Sequence, residues 1–109
     1  MSELQDLRKA LLDFRNERDW AQFHNPKDLA LAISIEAAEL LEVYLWKNPE
    51  EGNVEKVREE LADIFSFCIL LADRYDLDIA TIVLDKIRQN ELKYPVSKAK
   101  GTAKKYNEL

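Results

Sequence analysis

The chain has 109 residues, the size of one domain, and a formal net charge of −5. An acidic chain is poorly suited to bind a nucleic-acid polymer through its phosphates, so we expect no such partner. Glycine and proline are scarce, with two and three residues, which favours helices and argues against a β-sandwich or barrel. We therefore predict a single all-α domain over residues 1–109.

The first predicted element is an amphipathic helix over residues 3–19, because apolar side chains recur there at spacings of three and four. An aromatic-rich connector over residues 20–26 ends at a proline. Helix two is predicted at about residues 27–47 and is apolar on more than one side, so we expect it to pack against another copy of the chain. The turn over residues 48–53 ends it.

Helix three is predicted at about residues 54–75 and helix four at about residues 79–92, with Asp78 as a helix N-cap. A tyrosine–proline pair ends helix four. The basic tail over residues 95–109 has no useful periodicity and is consistent with a solvated end. The four helices predict a bundle-like fold.

The first six residues lack a basic region and a hydrophobic region, so we expect no signal peptide. The longest uncharged run, residues 64–72, is too short to span a bilayer. The single cysteine, Cys68, lies in that run and leaves no partner for a disulfide within the chain. We expect a soluble, cytoplasmic protein without a membrane partner.

Two short pairs of carboxylates carry the strongest chemical signal. Glu36 and Glu39 follow an uncharged apolar run, and Glu60 and Asp63 lead directly into another. The i, i+3 spacing places each pair on nearly one helix face. Carboxylates on an apolar face are costly unless something compensates them, and a hard divalent cation does so.

A short turn makes helices two and three antiparallel neighbours, and Glu39 and Glu60 then lie at similar heights above it. The two pairs therefore face each other and offer the oxygen ligands that Mg²⁺ or Mn²⁺ prefers. A single Glu-x-x-Glu is most often a solvated helix face, and two matched pairs reduce the weight of that interpretation. A di-iron site is disfavoured, because neither pair has a histidine at i+3.

Other residues suggest an anionic ligand. Four polar side chains share one side near the end of helix four: Lys86, Asn90, Lys93 and Tyr94. Cations are also favoured there by the helix dipole alone. Trp20 and Trp46 flank helix two, where aromatic rings either stack on a base or simply pack in the core. Two function classes remain open: an enzyme acting on a phosphorylated small molecule, and a helical oligomeric binding or regulatory module without catalysis.

With their flanks, the two acidic pairs resemble the metal motif of the all-α nucleotide pyrophosphohydrolases of the MazG type, closest to the small dCTP pyrophosphatase branch. Residues 17–26 resemble that branch's N-terminal signature, Trp46-Lys47 its Trp-Lys pair, and residues 86–95 its fourth-helix motif. Three positions differ from the mammalian-type relatives: Leu11, Leu45 and Phe67. The base therefore stays open between dCTP, another deoxynucleotide and a modified base.

The resemblance implies an enzyme that uses Mg²⁺, or alternatively Mn²⁺, to hydrolyse a (deoxy)nucleoside triphosphate to monophosphate and pyrophosphate in nucleotide-pool house-cleaning. It implies that four acids hold the catalytic metal: Glu36, Glu39, Glu60 and Asp63. It implies that six residues contact the nucleotide: Trp20, Trp46, Lys86, Asn90, Lys93 and Tyr94. It also implies a homo-oligomer, usually a tetramer built from dimers, with the basic tail as a lid.

Overall fold

The computed structural model describes residues 2–109, and its regular structure is helical throughout, without a strand in that range. The helices are α1 (Glu3–Glu17), α2 (Pro26–Glu42), α3 (Val54–Arg74), α4 (Ile79–Lys93) and the short α5 (Val96–Ala99). Short 3-10 turns lie at Ala21–Phe23, Pro49–Glu51 and Tyr106–Glu108. None of the helices in residues 2–109 has the length and apolar character needed to cross a membrane. The prediction of an all-α fold is confirmed.

Polar residues immediately before each long helix fix where it begins. Ser2 accepts a hydrogen bond from the backbone N–H of Gln5 at 3.2 Å, and the Gln5 side chain accepts one from the N–H of Ser2 at 2.9 Å. Asn25, Asn53 and Asp78 likewise accept backbone N–H groups in the first turns of α2, α3 and α4. These caps satisfy donors that have no partner inside the helix, and the four helices begin within about one residue of the predicted positions.

α2 ends at Glu42, so the predicted extension of this helix to about residue 47 is wrong. From Val43 onward, the backbone N–H groups donate to carbonyls three residues back instead of four. The ring of Tyr44 lies directly against Gly52 in the following turn. Packing between these two segments therefore overrides the local helix propensity and tightens the chain into turns.

The chain divides into two compact units, one ending at Leu77 and the other formed by Asp78–Leu109. In the first unit, α2 packs along α3, and α1 packs against α3. Arg8 and Arg15 on α1 form ion pairs with Asp73 on α3. That residues 1–109 form one domain stays a prediction.

The core of the first unit is small. Its buried side chains are Leu29, Val43, Ile69, Leu70 and Ala72. Large apolar side chains on α2 and α3 remain exposed, among them Ile35 at 57% and Phe65 at 59%. Exposed apolar faces of this kind are typical of surfaces that another chain covers.

In the second unit, the tail returns to the end of α4. Tyr106 packs edge-to-face on Tyr94, with ring centroids 6.2 Å apart. Nζ of Lys93 lies 5.0 Å from the centroid of the Tyr106 ring. Contacts of these two kinds each contribute about 0.5–1 kcal/mol. They hold the tail against its own helix, and a lid role for residues 95–109 stays a prediction.

Candidate functional site

Three carboxylates from two helices meet in the first unit. One oxygen each of Glu36 on α2 and of Glu60 and Asp63 on α3 lies within 4.8 Å of the other two. The i, i+3 spacing puts Glu60 and Asp63 on one side of α3, and α2 packs along α3 closely enough to bring Glu36 to them. Convergent carboxylate oxygens are the ligands that a hard divalent cation requires.

The acid cluster, defined here as Glu36, Glu60 and Asp63, contains two orphaned polar atoms. Oε2 of Glu36 and Oε2 of Glu60 are buried and accept no hydrogen bond from residues 2–109. A buried carboxylate oxygen without a donor is costly, because it has lost its water and gained no partner. The cluster therefore fits a hard divalent cation, since its donors are all oxygen and two of them lack a partner within the protein.

The neighbouring carboxyl groups alter the acidity of Glu36. When Glu36 is protonated, a hydrogen bond with Glu60 stabilises that form and raises the pKa of Glu36 from 4.5 to about 7, and burial acts in the same direction. Glu39 and the charge of Asp63 raise this pKa further. Glu39 is thus near Glu36, although it lies outside the three that converge most closely. Without a cation, Glu36 therefore keeps its proton at a higher pH than an ordinary glutamate does.

A polar cavity opens on one side of the acid cluster. Its volume is about 390 Å³, and it is lined by Glu39, Glu42, Val43, Lys56, Glu59 and Glu60. Four carboxylates face a single ammonium group there. Such a negative surface repels an anion unless cations enter with it.

A second cavity, called here the aromatic cavity, has a volume of about 380 Å³ and meets the cluster at Asp63. Its other lining residues are Leu11, Phe14, Arg15, Trp20, His24, Ser66, Phe67 and Leu70. The ring of Trp20 makes a T-shaped contact with Phe14 at 5.7 Å between centroids. His24 lies 6.4 Å from Trp20 and 6.5 Å from Phe67. Aromatic walls of this kind suit a flat apolar ring with a polar edge.

His24 adds a polar atom to these walls. Burial, and then the positive charge of Arg15, lowers the pKa of His24 below its usual 6.5, so the ring is neutral at pH 7. Its Nδ1 atom is buried and has no hydrogen-bond partner among the described residues. A neutral imidazole with an open nitrogen can donate or accept one hydrogen bond to a ligand.

The structure places the other predicted site residues elsewhere in the chain. Trp46 lines neither the polar cavity nor the aromatic cavity and is 93% exposed. Its φ of +61° is uncommon for a bulky side chain. In the second unit, Lys86 and Asn90 line an open groove on α4, whereas Lys93 and Tyr94 contact Tyr106.

Sequence reasoning missed Arg15 as a lining residue of the aromatic cavity. Arg15 is a charged residue on an amphipathic helix, which predicts a solvent-facing position, yet only 11% of its side chain is exposed. Phe67 lies in an apolar run, and the sequence marked it only by its difference from the mammalian-type relatives. The one clue for Arg15 is that it directly follows Phe14, at the edge of the apolar stripe of α1.

Comparisons with known proteins identify a family and similar chains. A model of the MazG-like family matches residues 31–109. The dCTP pyrophosphatase 1 of Bos taurus is 39% identical over 114 residues, covering 97% of this chain and 68% of that protein. The dCTP pyrophosphatase 1 of Homo sapiens is 36% identical over 114 residues, covering 97% and 67%. A solved pyrophosphatase from Archaeoglobus fulgidus superposes with a TM-score of 0.82 at 35% identity, covering 87% of this chain and 94% of that one.

Proposed function

This chain belongs to the MazG-like family and is a nucleoside triphosphate pyrophosphohydrolase, and we propose that it hydrolyses dCTP or a related deoxynucleotide to the monophosphate and pyrophosphate with Mg²⁺. One observation carries the proposal. The acid cluster borders both cavities, because Glu60 lines the polar cavity and Asp63 lines the aromatic cavity. A nucleotide can thus rest its base on one side of the acids and its phosphates on the other. Family membership favours this enzyme over a non-catalytic helical module.

We assign the metal site to four residues: Glu36, Glu39, Glu60 and Asp63. Three of them converge, and Glu39 extends the donor set into the polar cavity. When bound, Mg²⁺, or Mn²⁺ in its place, supplies charge neutralisation and Lewis-acid polarisation of the phosphate oxygens. Because carboxylates are in excess here, we expect the triphosphate to enter together with cations.

The chain's own residues supply the remaining chemistry. Hydrolysis between the α- and β-phosphates removes a proton from the attacking water, and a carboxylate of the site accepts it. Trp20 packs against the base in the aromatic cavity. The cations on α4 stabilise charge on the phosphates and the departing pyrophosphate, and their polar neighbours contact the same groups: Lys86, Asn90, Lys93 and Tyr94.

We further propose that the enzyme is a homo-oligomer, a tetramer built from dimers. The exposed apolar faces of α2 and α3 support this assembly. Trp46 supports it as well, because it is 93% exposed and absent from the aromatic cavity of its own chain. It would then enclose the base and sugar bound by a neighbouring copy. Sedimentation equilibrium tests the assembly, and a species with the 12.7 kDa mass of one chain would contradict it.

The activity is tested with a panel of canonical and modified nucleoside triphosphates, each incubated with Mg²⁺ or with EDTA. We expect monophosphate and pyrophosphate to form only with Mg²⁺, and the ranking of rates to identify the base. The Glu60→Gln and Asp63→Asn variants should lose at least about 100-fold in kcat. The matched control is Glu55→Gln, which changes an exposed carboxylate at the start of the same helix.

The products separate the possible outcomes. Diphosphate and phosphate would show that the bond between the β- and γ-phosphates is cut, and the proposed reaction would be wrong. Near-normal turnover by Glu60→Gln and Asp63→Asn would refute the assignment of the metal site. The same chain is proposed to act in nucleotide-pool house-cleaning in the cytoplasm, which predicts that deleting its gene raises the cellular level of the preferred nucleotide.

A further inference from the structure

One charged side chain lies among the apolar walls of the aromatic cavity. Arg15 on α1 lines this cavity together with Trp20, His24 and Phe67, and only 11% of its side chain is exposed. A guanidinium keeps its charge at every physiological pH, so its removal from water requires compensating partners. The partners of Arg15 within the chain therefore decide whether its hydrogen-bond donors are already used.

Residues of the chain satisfy the charge and the hydrogen-bond donors of Arg15 only in part. Its Nε donates a hydrogen bond to Oδ1 of Asn16 at 3.1 Å. The nearest carboxylate oxygen, Oδ2 of Asp73, lies 3.6 Å from Nη1, which is longer than a normal hydrogen bond. The other oxygen of Asp73 accepts a hydrogen bond from Arg8. The two terminal amino groups of Arg15 therefore make no hydrogen bond to the described residues, and their donors remain for a ligand.

The position of Arg15 is fixed, although its donors are open. It sits within α1, and the ion pair with Asp73 ties it to α3. The same cavity includes Asp63 of the acid cluster, so a ring that enters it lies beside the carboxylates assigned to the phosphate end. A fixed guanidinium donates two parallel N–H groups and so requires two neighbouring acceptors.

We propose that Arg15 is a specificity-determining residue that reads the base, and that it selects bases with two adjacent hydrogen-bond acceptors. This inference rests on the proposed function. Cytosine has such a pair in its carbonyl O2 and ring N3, and guanine has one in O6 and N7. Uracil and thymine carry an N–H between their carbonyl groups, and adenine places an amino group beside N1 and N7. Each of these bases therefore presents a donor where the two parallel N–H groups of the guanidinium need an acceptor.

The test compares the wild type with Arg15→Met and Arg15→Lys on dCTP, dGTP, dUTP, dTTP and dATP. Arg15→Met approximately keeps the length of the side chain and removes its hydrogen-bond donors. Arg15→Lys keeps the positive charge and removes the pair of parallel N–H groups. We expect both to lower kcat/KM for dCTP, and for dGTP if it is a substrate, by about 10- to 100-fold. The change should fall mainly on KM, since a base contact is made in the ground state as well. Losses for the other three should stay below about threefold.

The matched control is Arg8→Met. Arg8 pairs with the same Asp73 from the same helix, but it is half exposed and does not line the cavity. If Arg15 acted only by joining α1 to α3, Arg8→Met would reproduce its effect, and the ratio of dCTP to dTTP would not change in either variant. Melting curves show whether each variant is folded. If Arg15→Met is not folded, Arg15→Lys alone still decides between the two roles.

Equal losses on all five triphosphates would overturn the proposal, because they would assign Arg15 to the phosphates or to the fold. An unchanged preference in both Arg15 variants would overturn it as well. Failure of the proposed function looks different, since the wild type itself would then hydrolyse none of the five. The wild-type panel is therefore measured first.

Discussion

The raised pKa of Glu36 predicts that one substitution has opposite effects on stability and on activity. In the metal-free protein, Glu36 has a pKa of about 7, against an ordinary value of 4.5. The folded state thus binds this proton more tightly than the unfolded chain does. Stability should therefore fall as the pH rises from about 5 to about 8, because ionising Glu36 costs more in the folded protein. Glu36→Gln removes that cost and should also abolish turnover.

The size of the effect follows from the raised pKa. A rise from 4.5 to about 7 sets an upper limit of about 3 kcal/mol at pH 8. Glu36 is only half-buried, and solvent screening reduces the expected gain for Glu36→Gln to about 1 kcal/mol. For a domain of this size, that gain raises the melting temperature by about 4 °C at pH 8 and by much less at pH 5.

Circular-dichroism melting curves in EDTA at pH 5, 6, 7 and 8 measure this effect on the wild type, Glu36→Gln and the exposed control Glu55→Gln. The control should follow the wild type. Adding saturating Mg²⁺ should raise the wild-type melting temperature by mass action, most strongly at high pH, and should raise that of Glu36→Gln less. A wild-type stability that is flat between pH 5 and 8 without metal, or a loss of stability in Glu36→Gln at pH 8, would refute the reasoning.

Three further predictions concern packing and backbone geometry. Leu29 is 1% exposed, so Leu29→Ala should cost about 2–5 kcal/mol in urea unfolding, and a cost below about 1 kcal/mol would mean that the site collapses around the gap. A Cβ atom at Gly52 would overlap the ring of Tyr44, so Gly52→Ala should cost about 1 kcal/mol. In a double-mutant cycle, Tyr44→Ala should cancel most of that cost, and additive losses would contradict the contact. Trp46 has a φ of +61°, which glycine adopts more easily, so Trp46→Gly should stabilise the fold by about 1 kcal/mol. The same variant should raise KM, because it removes the proposed contact with the nucleotide. An unchanged KM would remove Trp46 from the nucleotide site.

Much of the local structure was predictable from the sequence, because the information is local. The caps Asn53 and Asp78 and the periodic apolar residues place the beginnings of α3 and α4 correctly. The i, i+3 spacing of Glu60 and Asp63 fixes them on one helix face without any knowledge of the partner helix. The all-α class and the family followed from the same patterns.

The end of α2 was not predictable in this way. The apolar pattern continues to Trp46, and nothing in residues 43–47 breaks a helix as proline or glycine would. The chain leaves the helix after Glu42 because Tyr44 packs against Gly52. That contact joins two segments, and its free energy appears only when both are folded.

The sequence by itself determined which residues carry charge, which helices they lie on and which face of each helix they share. Tertiary structure decided which atoms meet. It brought Glu36 to Glu60 and Asp63 and left Glu39 at the edge of that group. It also turned Arg15, a residue that the helix pattern assigns to solvent, into the wall of a cavity. The spacing of residues along one helix is set by covalent geometry. Distances between helices depend on how side chains pack at the interface between them, and the local residue pattern does not encode those distances.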